Sequence, residues 1–201
     1  MCEFREAFEI LKKDKVMNSL ITKLGDQITI QDRKEKNLAF ALSLLIIEQQ
    51  VSFKAANTIK ERFRKLIKKK TNREVLKIDD EKLKSVGITY KKVEYIKNVY
   101  TYFENKKFDF YNKPKKEVIR ELTSIKGIGI WTAEMFLIFI LFEKDIFSKG
   151  DLALINSIKI NYKIDELNEN DLKNITEKWS PYKTIASLLL WKSIEEKIFY
   201  D

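Results

Sequence analysis

Residues 122–133 read LTSIKGIGIWTA, and the pair Gly150-Asp151 follows further along the chain. This pattern predicts a helix, a tight glycine hairpin and a second helix, and then a loop that presents one carboxylate. Gly127 and Gly129 permit a left-handed turn and a close approach of another molecule to the backbone. The backbone N–H groups of such a turn can bind a phosphate. The sequence therefore predicts a phosphate-binding hairpin upstream of a candidate functional aspartate, Asp151.

The chain is basic, since its 201 residues include 39 Lys and Arg against 30 Asp and Glu, a net charge of +9. This excess favours an anionic partner, nucleic acid before membrane. A membrane span needs about 20 apolar residues, and the strongest apolar run, Met135 to Phe142, is far shorter. Together with the hairpin and the aspartate, the charge predicts a DNA-acting enzyme that has no membrane association.

The content of cysteine and histidine excludes several chemistries. Cys2 is the only cysteine and there is no histidine. An internal disulfide, a four-cysteine iron–sulfur cluster and histidine-ligated zinc are therefore excluded, as are nucleophiles activated by histidine. Acid–base chemistry falls to Asp, Glu, Lys or Tyr. The sequence shows no signal peptide, so we expect an intracellular protein, cytoplasmic or nucleoid-associated, or nuclear in a eukaryote.

Helical periodicity dominates the chain, which predicts an all-α protein. Asp32 is a candidate N-cap for an apolar helix that runs towards Gln49, and Ser52 is a candidate cap for the next helix. Asp151 stands where an N-cap would stand before another apolar helix. Pro181 precedes the last helix.

The hairpin, Trp131-Thr132-Ala133 and Gly150-Asp151 together resemble the helix-hairpin-helix (HhH-GPD) superfamily of DNA glycosylases. The resemblance is greatest to the 3-methyladenine DNA glycosylase II branch and extends over about residues 32–191. The supporting segments occur in the family's order: 48–56 (EQQVSFKAA), 86–96, 179–182 (WSPY) and 188–191 (LLLW).

The resemblance implies a two-lobed helical fold with a cleft between the lobes. One lobe would comprise residues 32–132, and the other residues 1–31 plus 133–201. The partner would be double-stranded DNA containing a damaged base, bound by a monomer. The resemblance assigns the DNA backbone contact to four hairpin residues: Lys126, Gly127, Ile128 and Gly129. Similar hairpins often hold a monovalent cation on backbone carbonyls, so Na⁺ or K⁺ is a candidate ligand, whereas no catalytic metal and no other cofactor is implied.

The resemblance also implies a role for Asp151. Cleavage of an N-glycosidic bond builds positive charge on the deoxyribose, and a fixed carboxylate stabilises that charge. The same carboxylate can orient or deprotonate the attacking water. A plain N-cap is the structural alternative, and both roles can coexist in one side chain.

A tryptophan at position 131 predicts the reaction subtype and part of the base pocket. Bifunctional relatives carry a lysine there that forms a Schiff base, so the chain is predicted to be monofunctional. Trp131 and Trp191 match positions that line the alkylbase pocket, where electron-rich rings would stack on a cationic base; core packing is the alternative. Met135 and Leu152 stand where a well-known member of the branch has tyrosines, which makes the predicted pocket more apolar.

Extrusion of the target nucleotide leaves a gap in the duplex that an inserted side chain fills. Gln50, followed by Val51, matches that wedge position, and an ordinary polar helix terminus is the alternative. The predicted reaction is hydrolysis of the glycosidic bond of an alkylated purine such as 3-methyladenine. Two alternatives stay open: a glycosylase for a neutral base (uracil, mispaired thymine, hypoxanthine or 8-oxoguanine), and a non-catalytic, structure-specific DNA-binding module.

Overall fold

The computed structural model describes residues 4–30, 35 and 37–201. Within these residues the chain forms helices and loops and no β-strand, which confirms the predicted all-α class. No helix in this part of the chain has the length and apolar character that a membrane crossing requires. The helices are α1 (Arg5–Leu11), α2 (Lys15–Leu24), α3 (Leu38–Glu48), α4 (Phe53–Ile67), α5 (Asn72–Leu76), α6 (Asp80–Lys84), α7 (Tyr90–Asn105), α8 (Lys115–Thr123), α9 (Ile130–Phe139), α10 (Leu152–Tyr162), α11 (Glu169–Glu177) and α12 (Lys183–Glu196).

The chain divides into two compact units. We call Lys34–Leu141 the hairpin unit, and Met1–Arg33 with Phe142–Asp201 the aspartate unit. The boundary expected at residue 132 falls inside α9. Because α9 packs along its length on α3 and α8, the whole helix belongs to the hairpin unit, and Met135 belongs there too.

The hairpin unit is built around α3 and α9, which are apolar on almost every side. Such helices must be covered by neighbours on several sides, and α3 packs on α4, α7 and α9. The cap of α3 is Asn37, whose side chain accepts a hydrogen bond from the Phe40 N–H. Asp32, the cap expected for this helix, lies outside the described residues. Ser52 caps α4 as predicted, through the Ala55 N–H.

The aspartate unit brings α10 and α12 together around a buried polar cluster. Ser157 Oγ on α10 donates to the Leu190 carbonyl at 2.9 Å and lies 2.8 Å from Ser193 Oγ on α12. Asn161 Nδ2 donates to the Ser157 carbonyl at 2.9 Å. Buried polar groups that are satisfied in this way favour one alignment of the two helices. The middle and the end of α10 are thereby held beside α12.

The loop before α10 is fixed to the start of α12. Thr184 Oγ1 donates to the Glu143 carbonyl at 2.6 Å and accepts from the Ile146 N–H at 3.2 Å. Ser180 Oγ donates to Asp145 Oδ2 at 2.8 Å. These hydrogen bonds hold residues 143–146, which precede Asp151 in the same unit, against Thr184 and Ser180.

Candidate functional site

The left-handed turn of the hairpin falls on Gly127 alone. Its φ angle is +105°, and a Cβ atom added there would lie 2.2 Å from Cγ of Tyr95. Gly129 has φ −92° and serves as the N-cap of α9, a conformation open to any residue. A Cβ added at Gly129 meets no atom within 4 Å. Gly127 is thus required by the fold, whereas the bare backbone at Gly129 leaves room for a ligand.

Helix α7 packs next to the hairpin and contacts it through two polar side chains. Asn98 Nδ2 donates to the Lys126 carbonyl at 3.2 Å, and Lys126 Nζ donates to Glu94 Oε1 at 2.5 Å. The hydrogen bond to Glu94 raises the pKa of Lys126. Lys126 was expected to contact a phosphate, and here its ammonium is paired with a carboxylate. Both side chains are exposed, and since exposed ion pairs contribute little to stability, the ammonium can exchange this partner for a phosphate oxygen.

The first turn of α9 is suited to an anion. The N-cap residue of this helix is a glycine and provides no side-chain acceptor. The first N–H groups of a helix have no partner inside the helix and carry partial positive charge. These groups lie at an exposed edge, next to Gly129 and Ile130. A phosphate is the anion that such helix starts commonly bind.

The predicted wedge residues and the hairpin line the same groove. The groove has a volume of about 490 Å³ and is bordered by the α3–α4 junction, the start of α7 and the hairpin. At the junction Gln50 adopts a left-handed φ of +54° and is exposed, as is Val51. The structure therefore brings Gln50 and Val51 together with Gly127, Ile128 and Gly129.

Five further residues that line this groove were not selected from the sequence: Gln49, Thr89, Lys91, Lys92 and Tyr95. Direct contacts with the hairpin or with the wedge segment (residues 49–51) are made by three of them: Gln49, Lys92 and Tyr95. A glutamine at the end of an apolar run is the sequence signal that could have drawn attention to Gln49, because a polar side chain that becomes buried there needs partners. The partners themselves lie far away in sequence.

Asp151 is held in one orientation by two hydrogen bonds. Its Oδ1 accepts from the Leu154 N–H at 3.0 Å, which confirms the predicted N-cap of α10. The same oxygen accepts from Nε1 of Trp191 at 3.2 Å. Trp191 was expected to stack on a base, with core packing as the alternative, and neither expectation included the hydrogen bond by which its indole N–H orients the carboxylate.

The remaining base-pocket residues differ in exposure. Trp131 is half-buried on α9, and Met135, one helical turn later, is 3% exposed in the core of the hairpin unit. Leu152, in the aspartate unit, is 77% exposed. The grouping of these side chains with Trp191 as one pocket stays a prediction.

The candidate cation at the hairpin can be compared with the acceptors present. The Gly127 carbonyl accepts from Gln49, and the Lys126 carbonyl accepts from Asn98. A carbonyl oxygen has two lone pairs, so these groups retain acceptor capacity, and the cation stays a prediction. Among the described residues, no group of three or more Cys, Asp or Glu side chains is arranged to hold a metal ion.

A helix, a left-handed glycine hairpin and a second helix, followed by a helix capped by an aspartate, define a class of DNA repair proteins. The sequence matches the HhH-GPD superfamily of base excision DNA repair proteins over residues 44–181, and the chain belongs to this superfamily.

Individual relatives agree with this assignment. The DNA-3-methyladenine glycosylase 1 of Schizosaccharomyces pombe is 27% identical over 188 residues, 90% of this chain and 82% of that protein. The structure of an S. pombe 3-methyladenine DNA glycosylase in complex with abasic DNA matches with a TM-score of 0.85 and 25% identity, over 94% of this chain and 97% of that one. The Bacillus subtilis protein YfjP is 27% identical over 162 residues, 75% of this chain but only 56% of that protein. This chain thus spans little more than half the length of YfjP.

Proposed function

We propose that this protein is a monofunctional DNA glycosylase that hydrolyses the N-glycosidic bond of alkylated purines, with 3-methyladenine as the principal substrate. The observation that carries the proposal is the fixed carboxylate of Asp151, held by Leu154 and Trp191. Relatives named for 3-methyladenine DNA glycosylase activity support the substrate class. The DNA partner is a duplex that contains the damaged base, and a monomer suffices to bind it.

Asp151 acts at the sugar of the extruded nucleotide. As the C1′–N bond breaks, the bonding electron pair leaves with the base, and positive charge grows on the deoxyribose. The carboxylate stabilises that charge and orients a water molecule whose oxygen bonds to C1′. An alkylated purine departs as a neutral base because its positive charge is cancelled by the incoming electron pair, and the proton of the water passes to the carboxylate or to solvent.

The hairpin and the wedge bind the DNA. The N–H groups at the start of α9 hold a phosphate, and Gly129 lets the strand approach the backbone. Gln50 enters the duplex where the nucleotide has left it. The indole rings of Trp131 and Trp191 are each suited to stack on a cationic base, an interaction worth about 0.5–2 kcal/mol. Leu152 offers exposed apolar surface, whereas Met135 is buried in the core of the hairpin unit.

Duplexes that each carry a single damaged base test the proposal. We expect release of 3-methyladenine and 7-methylguanine, and strand cleavage only after alkali, because Trp131 provides no amine for a Schiff base. Borohydride is expected to trap no enzyme–DNA adduct. If uracil, hypoxanthine or 8-oxoguanine is released instead, the proposed substrate class is wrong. If borohydride traps an adduct, the monofunctional subtype is wrong. Binding with no base release from any duplex would indicate a DNA-binding module.

A Trp191→Phe variant tests the second role of Trp191. Phenylalanine keeps an aromatic ring but cannot donate to Asp151, so we expect the single-turnover rate of base release to fall about tenfold, the loss of roughly one hydrogen bond to a charged group. The affinity for abasic DNA should stay within about twofold, because no phosphate contact is lost. If the rate is unchanged and only the affinity for lesion DNA falls, Trp191 acts by stacking alone.

A further inference from the structure

The amide of Gln49 joins the wedge segment to the hairpin. Its Nε2 donates to the Gly127 carbonyl at 3.1 Å and to Thr132 Oγ1 at 3.0 Å. A glutamine amide has two N–H donors, so each donor has one acceptor. One acceptor lies at the left-handed turn of the hairpin and the other in the first turn of α9. A single side chain thus spans both halves of the phosphate-binding element.

The main chain around Gln49 is fixed from the opposite side. Lys92 Nζ on α7 donates to the carbonyl of Gln49 at 2.7 Å and to that of Ile47 at 2.9 Å. Burial lowers the pKa of this ammonium group. The two carbonyls belong to the last turn of α3, where such groups have no partner within the helix. Lys92 therefore closes the end of α3 at the point where the chain turns to Gln50.

The preceding residue is also anchored. Glu48 Oε1 accepts from Lys60 Nζ at 2.6 Å, and the two side chains are only 16% and 15% exposed. Charge-assisted hydrogen bonds at partly buried positions are stronger and more directional than exposed ones. Residues 48 and 49 are thus tied to α4, α7 and the hairpin, whereas Gln50 and Val51 are exposed.

We propose that Gln49 is a positioning residue that fixes the wedge residue Gln50 relative to the hairpin, so that phosphate binding and base extrusion are coupled. This inference rests on the proposed function. A left-handed conformation at a residue other than glycine is unfavourable on its own, and the anchored Gln49 holds Gln50 in it. When a bound phosphate fixes the hairpin, the hydrogen bonds of the Gln49 amide fix the position of Gln50 as well.

A double-mutant cycle separates this role from simple packing. The variants are Gln49→Met, which is similar in size but has no N–H donor, Gln50→Ala, and the combination of the two. Gln27→Met makes the same chemical change at an exposed position of the aspartate unit and is the matched control. Each protein is bound to a duplex in which 2-aminopurine lies opposite a tetrahydrofuran abasic analogue, where its fluorescence reports insertion of the wedge.

We expect Gln49→Met to lose the fluorescence change and to lower single-turnover release of methylated bases about tenfold, while its affinity for the abasic duplex changes by less than about threefold. The combined variant should match Gln50→Ala within about twofold, because Gln49 acts through Gln50. Additive losses, or a Gln49→Met protein with a normal fluorescence change, would overturn the inference.

Two further variants and one comparison complete the test. If Gln49→Met does not fold, Gln49→Asn keeps the amide on a side chain too short to span both acceptors, and it should show the same pattern. Lys92→Met removes the anchor on the other side and should also reduce the fluorescence change. If the wild-type protein releases no methylated base, the proposed function fails, whereas the fluorescence cycle on abasic DNA still decides the role of Gln49.

Discussion

An Asp151→Asn protein is expected to bind abasic DNA as tightly as the wild type and to release damaged bases about 10²–10³-fold more slowly, the loss typical when one preorganised electrostatic contact is removed. Asparagine keeps the oxygen that accepts from the Leu154 N–H and from Trp191 Nε1. The cap of α10 and the orientation of the side chain therefore survive, and only the negative charge is lost. Single-turnover base release and fluorescence anisotropy with an abasic duplex measure the two quantities.

Two further proteins make this result specific. Asp151→Ala also removes the cap, so its free energy of unfolding should fall by about 0.5–2 kcal/mol, whereas that of Asp151→Asn should not. Asp79→Asn makes the same exchange at the exposed N-cap of α6 and should leave base release unchanged. If Asp151→Asn retains more than about half of the wild-type rate, the carboxylate is not the charge-stabilising group.

The parts of the fold that follow from local rules were predictable. Ser52 and Asp151 cap their helices as expected, because an N-cap bonds an N–H group only two or three residues away. The positive φ of Gly127 is equally local. The start of α3 was predicted at Asp32, and the cap observed is Asn37. Asp and Asn are both good capping residues, so local preference alone does not choose between the two positions.

The contacts that assemble the site could not be predicted in the same way. Gln49 bonds residues 78 and 83 positions away, and Trp191 bonds Asp151 across 40 positions. Such pairs depend on how helices pack, and periodicity reports only which face of a helix is apolar. The extent of the hairpin unit has the same origin, because the packing of α9 on α3 and α8 decides which unit contains residues 133–141. The residue types in the sequence thus predicted the chemistry of the candidate site, whereas helix packing determined which residues form hydrogen bonds with each other.

Gly127→Ala is expected to damage the hairpin itself. The added Cβ would lie 2.2 Å from Cγ and 2.6 Å from Cβ of Tyr95. Rotation about χ1 can move the Cγ atom, but the Cβ atom is fixed to the backbone of α7. The left-handed φ adds a conformational cost of about 1–2 kcal/mol for a residue with a Cβ. Relief of both requires the turn to move away from α7, which displaces the N–H groups at the start of α9. We expect the affinity for abasic DNA to fall about 10–100-fold, the value of one charge-assisted hydrogen bond.

Substitutions at two other glycines distinguish damage to the hairpin from a general loss of stability. Gly87 has a similar φ of +110°, and its added Cβ would approach Cγ1 of Ile59 at 3.2 Å, so Gly87→Ala introduces comparable backbone strain outside the hairpin. We expect it to lower the urea midpoint without the loss of DNA affinity. Gly129→Ala should leave the urea midpoint unchanged, since its Cβ meets nothing within 4 Å. It should weaken DNA binding, because the proposed function has the DNA strand approach that backbone. Equal losses of affinity in Gly87→Ala and Gly127→Ala would mean that instability alone is responsible. If Gly127→Ala binds abasic DNA with full affinity, the hairpin is not part of the DNA-binding surface, because a turn displaced by the Tyr95 ring cannot present the same N–H groups to a phosphate.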